Sequence, residues 1–349
     1  MMRAPSFRWH AATSLADAAR ALAAGGPRAL LLGGGTDVVP AIKRRQYVPE
    51  LLISLRQVAE LGRLEPHGAS LRIGAGVRLG ALAADDRLGV GHTALRRAAG
   101  VVASPHIRNV ATLGGNLCLD TRCNYYNQSL EWRRAVDYCM KAPAGVALAA
   151  PAGGTCWVAP GSPRCWAVSQ TDCAPALIAL GASVTLVSAE GQRTLPLADL
   201  YRDDGMTWLT RRPDELLAWV DVPAAARSTY WKLRRRGSFD FPVLGVAAAV
   251  ELAGDVVTAA RVVLGAVASH PVVVPTESLL GRPLGDDAIA AFAELATRLA
   301  KPLDNTDYQL GWRKRVTRAY VVGALRELRG DDPALLGVLA RRQAALIPA

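Results

Sequence analysis

Residues 28–45 read RALLLGGGTDVVPAIKRR, an apolar strand that passes through three glycines into a helix-compatible run. Few features constrain a fold more tightly, because such a turn leaves the backbone unshielded by side chains. Glycine lets N–H groups approach a ligand closely, and a helix N-terminus adds partial positive charge, so the combination suits a phosphate. The turn has neither the GK[ST] of a Walker loop nor the spaced glycines of G-x-G-x-x-G. Alone it fits a plain structural turn equally well. A second glycine pair, ATLGGN at 111–116, follows about 80 positions later.

The rest of the pattern places these turns in a mixed chain. SLADAARALAA reads as an amphipathic helix capped by Ser14, and a further helix starts near Leu79. Ala182–Ser188 reads as a strand with a turn at Glu190-Gly191, and DELLAWVDVP as an apolar strand ending at Pro223. Beyond it, FPVLGVAAAVELAGDVVTAARVVLGAV predicts a hairpin around Gly254-Asp255. DDAIAAFAELATRLA and WRKRVTRAYVVGALREL predict amphipathic helices. No internal repeat or low-complexity linker is visible.

Composition excludes several classes. The 349 residues are 51% hydrophobic and 20% charged, as an ordinary globular chain is. No run of about 18 uncharged apolar residues suggests a membrane span. His10, Asp17 and Arg20 interrupt any leader-like apolar core, so a reducing cytoplasm is the expected compartment, where disulfides are rare. The net charge is +11, with five lysines and otherwise arginines among the basic residues. That bias fits an acidic partner or anionic cofactor, or merely arginine-rich coding. No zinc finger, RNP-like motif or basic-aromatic repeat points to nucleic acid. The five histidines show no metal-like pairing and no G-x-S-x-G occurs, so the expected chemistry is redox, carried by cofactors.

Four of the six cysteines, Cys123, Cys139, Cys156 and Cys165, fall in one loop-like stretch. Disulfides, a metal site and simple burial all compete to explain them. Structural zinc favours close C-x₂₋₄-C pairs, and none is present among these four. Iron–sulfur clusters also take four thiolates. Cys118 and Cys173 remain as small buried hydrophobes. Tyr125, Tyr126, Trp132, Tyr138, Trp157 and Trp166 crowd the same stretch and suit a small loop core. Arg133 and Arg134 either offset cluster charge or form a solvated basic face.

Together LLGGGTD, ATLGGN, IGAGVRLGAL (73–82), TDCAPALIALGASVTL (171–186) and the C-terminal hairpin make the chain resemble the flavin-binding subunits of the molybdenum hydroxylase superfamily, relatives of xanthine and carbon monoxide dehydrogenases. The resemblance covers nearly the whole chain. It implies an α+β fold with FAD between two N-terminal subdomains, 1–60 and 61–223, and a C-terminal α+β domain with an antiparallel sheet and helices, 224–335. It further implies FAD contacts from Leu31, Leu32, Gly33, Gly34, Gly35, Thr36 and Asp37, and from Val102, Thr112, Leu113, Gly114, Gly115 and Asn116. Asp172 would hold the ribityl chain, and Lys232 would lie near the flavin.

Asn116 and Asp172 stand more than fifty positions apart, where most such subunits have a short connection. The inserted stretch, about 119–168, is similar to the beta-subunit family of 4-hydroxybenzoyl-CoA reductase. The phrases NLCLDTRCNYYNQ, DYCMK and CWVAPGSPRCWAVSQTD carry that likeness. It implies a [4Fe–4S] cluster on Cys123, Cys139, Cys156 and Cys165, with PAGVALAAPAGG (143–154) as an extra segment between the second and third. By the same resemblance, ferredoxin would feed electrons through cluster and FAD to a [2Fe–2S] small subunit and a molybdopterin large subunit. Those subunits would form a dimer of heterotrimers that converts 4-hydroxybenzoyl-CoA to benzoyl-CoA. Two other expectations stand beside it: an outward-running hydroxylase with another substrate, and a stand-alone flavoprotein with a structural zinc loop.

Overall fold

The chain is described by a computed structural model covering residues 3–141 and 154–332. Residues 143–153 of the extra segment, and the last residues of the expected C-terminal unit, lie outside this range. Three sheets organise the described residues. The first is parallel and three-stranded, with β1 (Arg8–Ala11), β2 (Ala29–Leu32) and β3 (Leu51–Ser54) in the order β1-β3-β2. Its parallel crossover is the helix Leu15–Gly25, whose N-cap Ser14 accepts from the Asp17 N–H at 3.1 Å, as the sequence predicts. Ala18, Ala19 and Leu22 bury the apolar stripe of that helix against the sheet side holding Ile53.

The second sheet has five strands: β4 (Leu64–His67), β5 (Ser70–Gly74), β6 (Ser183–Val187), β7 (Gln192–Pro196) and β8 (Leu216–Pro223). They are antiparallel in the order β4-β5-β8-β6-β7. The long excursion between β5 and β6 therefore starts and ends in one sheet, which is why a large insertion there leaves the sheet intact. The apolar run after Asp172 forms the helix Cys173–Ala179, every residue of it buried.

The third sheet comprises β9 (Arg227–Leu233), β10 (Leu244–Ala253), β11 (Val256–Gly265) and β12 (Val272–Val274), antiparallel in the order β12-β11-β10-β9. The β10–β11 hairpin turns at Gly254 with positive φ, matching the sequence expectation. The two expected helices form at Asp286–Leu299 and Leu310–Arg329 and bury Phe292, Val321 and Leu325 beneath the sheet. Among the described residues no helix is long and apolar enough to cross a membrane.

Candidate functional site

The two glycine turns meet. Together they wall a cavity of about 940 Å³ that opens between the first two sheets. Leu31, Leu32, Gly33, Gly34, Gly35, Thr36 and Asp37 line one side, and Val102, Thr112, Gly114, Gly115, Asn116 and Asp172 another. A Cβ on Gly34 would stand 2.1 Å from the Val110 carbonyl oxygen and 2.9 Å from Ala111 Cα. Gly34 is thus required for the two turns to touch, a constraint beyond close approach to a ligand. Gly35 adopts φ +74°, a left-handed conformation that side chains disfavour. Thr112 caps the short helix Leu113–Leu117, its hydroxyl accepting from the Gly115 N–H.

Two of the expected contact residues sit behind the wall. Leu113 is completely buried in the core and does not line the cavity. Lys232 does not line the cavity and is 2% exposed, so it is not a solvated charge. Its ammonium donates to Asp172 Oδ2 at 2.9 Å and to the carbonyls of Val101 and Asp240. Tyr230 donates to the other Asp172 oxygen at 2.8 Å. Burial pushes the Asp172 carboxyl up and the Lys232 ammonium down, each offset in part by the partner's charge. Asp172 is held rigidly at the cavity wall while its remaining lone pairs can accept from a ligand hydroxyl. Asn116 fixes the same turn from the other side, Oδ1 accepting from Thr171 Oγ1 at 2.7 Å and from the Cys173 N–H at 3.1 Å.

The cysteine stretch leaves and rejoins the body through one neck, where Arg122 and Val168 exchange two backbone hydrogen bonds of 2.8 Å. Beyond the neck its described residues are mostly irregular, with a short helix, Leu130–Ala135, capped by Ser129. It is docked by Gln46 on the Tyr126 carbonyl, by Arg133 on the Arg44 carbonyl, and by Asn305 on Trp166 and Asn124. Cys123, Cys139, Cys156 and Cys165 are all buried and line one small cavity together with Tyr126, Lys141 and Trp157. No other cysteine lines it: Cys118 borders the large cavity and Cys173 is buried in the main core.

Burial pushes the Cys123 thiol up to about 12 and the Cys165 thiol up to about 11. Backbone N–H groups already point at two of the sulfurs, Ala167 at Cys165 (3.4 Å) and Tyr125 at Cys123. The void between the sulfurs is only about 10 Å³. Among the described residues no three His, Cys, Asp or Glu side chains gather as they would around a metal ion. Of the expected loop core, Tyr126 is buried with the cysteines while Trp132 and Trp157 stay partly exposed. The arginine pair divides: Arg133 is fully buried, and Arg134 faces solvent.

The two cavities have no lining residue in common, but side chains between them connect their linings. Arg122, next to Cys123, borders the large cavity, pairs with Asp37 and stacks on Phe241 at 4.7 Å. Tyr47 borders the large cavity and donates to Asp120 Oδ2 at 2.5 Å, while Lys141 donates to Asp120 Oδ1 at 2.5 Å from the thiol side. Burial, seconded by the Asp120 charge, pushes the Tyr47 phenol well above its ordinary value and keeps it a donor. Tyr47, Asp120, Arg122, Lys141 and Trp208 were not singled out from sequence. Only the density of polar residues flanking Cys123 (LDTRC) could have signalled part of this set.

Residues 5–225 match the family described as the FAD binding domain in molybdopterin dehydrogenase, and residues 228–328 the CO dehydrogenase flavoprotein C-terminal domain. The chain is 34% identical over 254 residues to the aldehyde oxidoreductase FAD-binding subunit of Escherichia coli, covering 70% of this chain and 76% of that one. It is 27% identical over 309 residues to the carbon monoxide dehydrogenase medium chain of Hydrogenophaga pseudoflava, covering 86% and 89%. In fold it is similar to a chain of the Cu,Mo-CO dehydrogenase crystal structure, cyanide-inactivated form. The TM-score is 0.76 at 23% identity, over 94% of this chain and 99% of the other. A chain of quinoline 2-oxidoreductase from Pseudomonas putida 86 gives a TM-score of 0.71 at 22% identity, over 94% and 98%. The α+β class expected from sequence holds, with antiparallel sheets, helices and one small parallel sheet.

Proposed function

Because this chain belongs to the FAD-binding subunits of the molybdenum hydroxylase family, that of CO and xanthine dehydrogenases, we propose that it is a two-centre electron-transfer subunit. FAD occupies the large cavity, and a [4Fe–4S] cluster is held by Cys123, Cys139, Cys156 and Cys165. The observation that carries the second centre is the convergence of those four buried thiols, and of no other cysteine, on one cavity beside the flavin cavity. A single zinc would draw its ligands to about 2.3 Å of one point. Four thiolates are equally the donor set of an iron–sulfur cluster, the group that the likeness of the cysteine stretch implies. When bound, the cluster supplies one-electron chemistry beside the two-electron chemistry of the flavin.

The chain's own residues divide the remaining work. The units 1–60, 61–223 and 224–335 hold the flavin between the first two and buttress it with the third. The turns at Gly33–Asp37 and Thr112–Asn116 present N–H groups to the pyrophosphate, with Leu31, Leu32 and Val102 alongside. Asp172, oriented by Lys232 and Tyr230, accepts from the ribityl hydroxyls. Leu113 and Lys232 support these contacts from the core rather than making them. Arg122 ties the cysteine neck to the first glycine turn.

The expected partners are a molybdopterin large subunit and a [2Fe–2S] small subunit, in a cytoplasmic dimer of heterotrimers with ferredoxin as donor. Support for a multi-subunit setting comes from relatives named as a medium chain and as a complex subunit. The proposed overall reaction is reductive dehydroxylation of 4-hydroxybenzoyl-CoA to benzoyl-CoA, resting on the likeness of the cysteine stretch. A second reading, outward electron flow from an aldehyde, is favoured by the 34% identity to an aldehyde oxidoreductase subunit. The complex purified with its partner subunits decides between them. Benzoyl-CoA formed from 4-hydroxybenzoyl-CoA with reduced ferredoxin supports the first. Aldehyde oxidation by a complex inert toward the thioester replaces it with the second.

A further inference from the structure

The thiol cavity contains one residue that the ligand set does not explain. Lys141 lines it, is 7% exposed, and lies two positions beyond Cys139. Its ammonium is fully engaged by oxygen: Asp120 Oδ1 at 2.5 Å, the Gly205 carbonyl at 2.7 Å, the Thr121 carbonyl at 3.2 Å and the Thr121 hydroxyl. It also lies 5.0 Å from the centre of the Tyr126 ring and 4.9 Å from that of Trp208. A lysine has three N–H donors, and four oxygens compete for them. None is left for a sulfur, so any influence on the cavity acts through space, as charge. Asp120 holds Lys141 in place and is itself shared with Tyr47 on the flavin side.

A second buried cation stands close by. Arg133 is completely buried, and its Nε and Nη1 have no hydrogen-bond partner among the described residues. A buried charge is costly unless compensated. Four thiolates around an iron–sulfur core carry net negative charge, and net charge is one of the levers on reduction potential.

We propose that Lys141, fixed by Asp120, is the built-in countercharge that raises the reduction potential of the centre held by the four cysteines. This rests on the cluster reading above. It assigns Lys141 an electrostatic positioning role, since the residue ligates nothing. Removing its charge makes each added electron less welcome. Removing the negative charge of Asp120 leaves the lysine less neutralised and has the opposite effect.

The test is an anaerobic redox titration of the cluster, followed by electron paramagnetic resonance, alongside iron and flavin analysis of the purified holoprotein. Lys141→Met should lower the midpoint potential and Lys141→Arg should stay near wild type. Asp120→Asn should raise it. Because the charges are buried, these shifts should persist at high salt, where a surface charge would be screened. A Lys141→Met protein with full iron and wild-type potential overturns the inference while leaving the cluster reading intact. If Lys141→Met fails to fold or loses iron, Asp120→Asn decides, and a potential that is unmoved or lowered there overturns it. Wild-type protein without iron overturns the inference and the cluster reading together.

Discussion

The flavin cavity and the thiol cavity are neighbours built on opposite principles. The first is roomy and made chiefly of backbone: glycine turns at the ends of β2 and of the Thr112-capped helix, carried by sheets with large cores. The second is a small void made of four side chains on an irregular stretch that leaves and rejoins the body at one neck. A backbone-built site is specified by every residue that sets the fold, and it tolerates changes in most side chains. A side-chain-built site is specified by a few atoms and fails when one is removed. The two should therefore be separable by mutation although Asp120 links them, accepting from Tyr47 on the flavin side and from Lys141 on the thiol side.

The largest effects should come from breaking each site alone. Serine at any one of Cys123, Cys139, Cys156 or Cys165 should strip or convert the cluster, because a hydroxyl replaces a soft thiolate. Flavin should remain bound, and iron analysis with the flavin spectrum reads both. Serine at Cys118 or Cys173 should leave iron unchanged. In the opposite direction, Gly34→Val forces a side chain into the Val110 carbonyl. Overpacking of that kind costs about 1–3 kcal/mol, or roughly 5- to 150-fold in FAD affinity if it falls on the turn–turn contact, with iron retained. Loss of both cofactors from either kind of variant would mean that the sites are one unit.

A further effect, read in stability rather than in cofactor content, sharpens the comparison where the flavin cavity does depend on side chains. Asp172→Asn leaves the Lys232 ammonium buried without its carboxylate, and breaking a buried pair from one side costs about 3–5 kcal/mol. Denaturant unfolding should show that loss, and Asp172→Asn with Lys232→Met should recover part of it. Equal stability of the single and double variants would mean that the pair is not coupled.

The smallest effect concerns pH. In folded, metal-stripped protein, the Cys123 and Cys165 thiols hold protons up to about 12 and 11, above their ordinary value of 9.0. The unfolded chain releases those protons first, so the folded state binds more of them across this window and loses stability as pH rises through it. At pH 8 both thiols should react with iodoacetamide more slowly than in the urea-unfolded chain. Mass spectrometry of the labelled peptides checks this, and equal rates would place the sulfurs in solvent.

The same contrast explains what the sequence reveals. The strand-glycine-helix of 28–45, the Ser14 cap and the hairpin at Gly254-Asp255 follow from local rules of propensity and turn chemistry, and all three form. The four cysteines are conspicuous because one residue type recurs. Residues whose role arises only in three dimensions were hidden. Lys232 is embedded in a run of arginines that suggests a solvated face, yet it lies buried against Asp172. Tyr47, Asp120 and Lys141 come from distant positions and meet through a carboxylate that no local pattern marks. The parallel pairing of β1 with β3 likewise depends on a crossover rather than on a turn.

The most direct measurement is the metal, sulfide and flavin content of anaerobically purified wild-type protein. A flavin cavity beside a tetrathiolate cluster site predicts about four iron and four sulfide per chain with one FAD. One FAD with zinc in place of iron, or with no metal at all, would contradict it and return the four cysteines to a structural role.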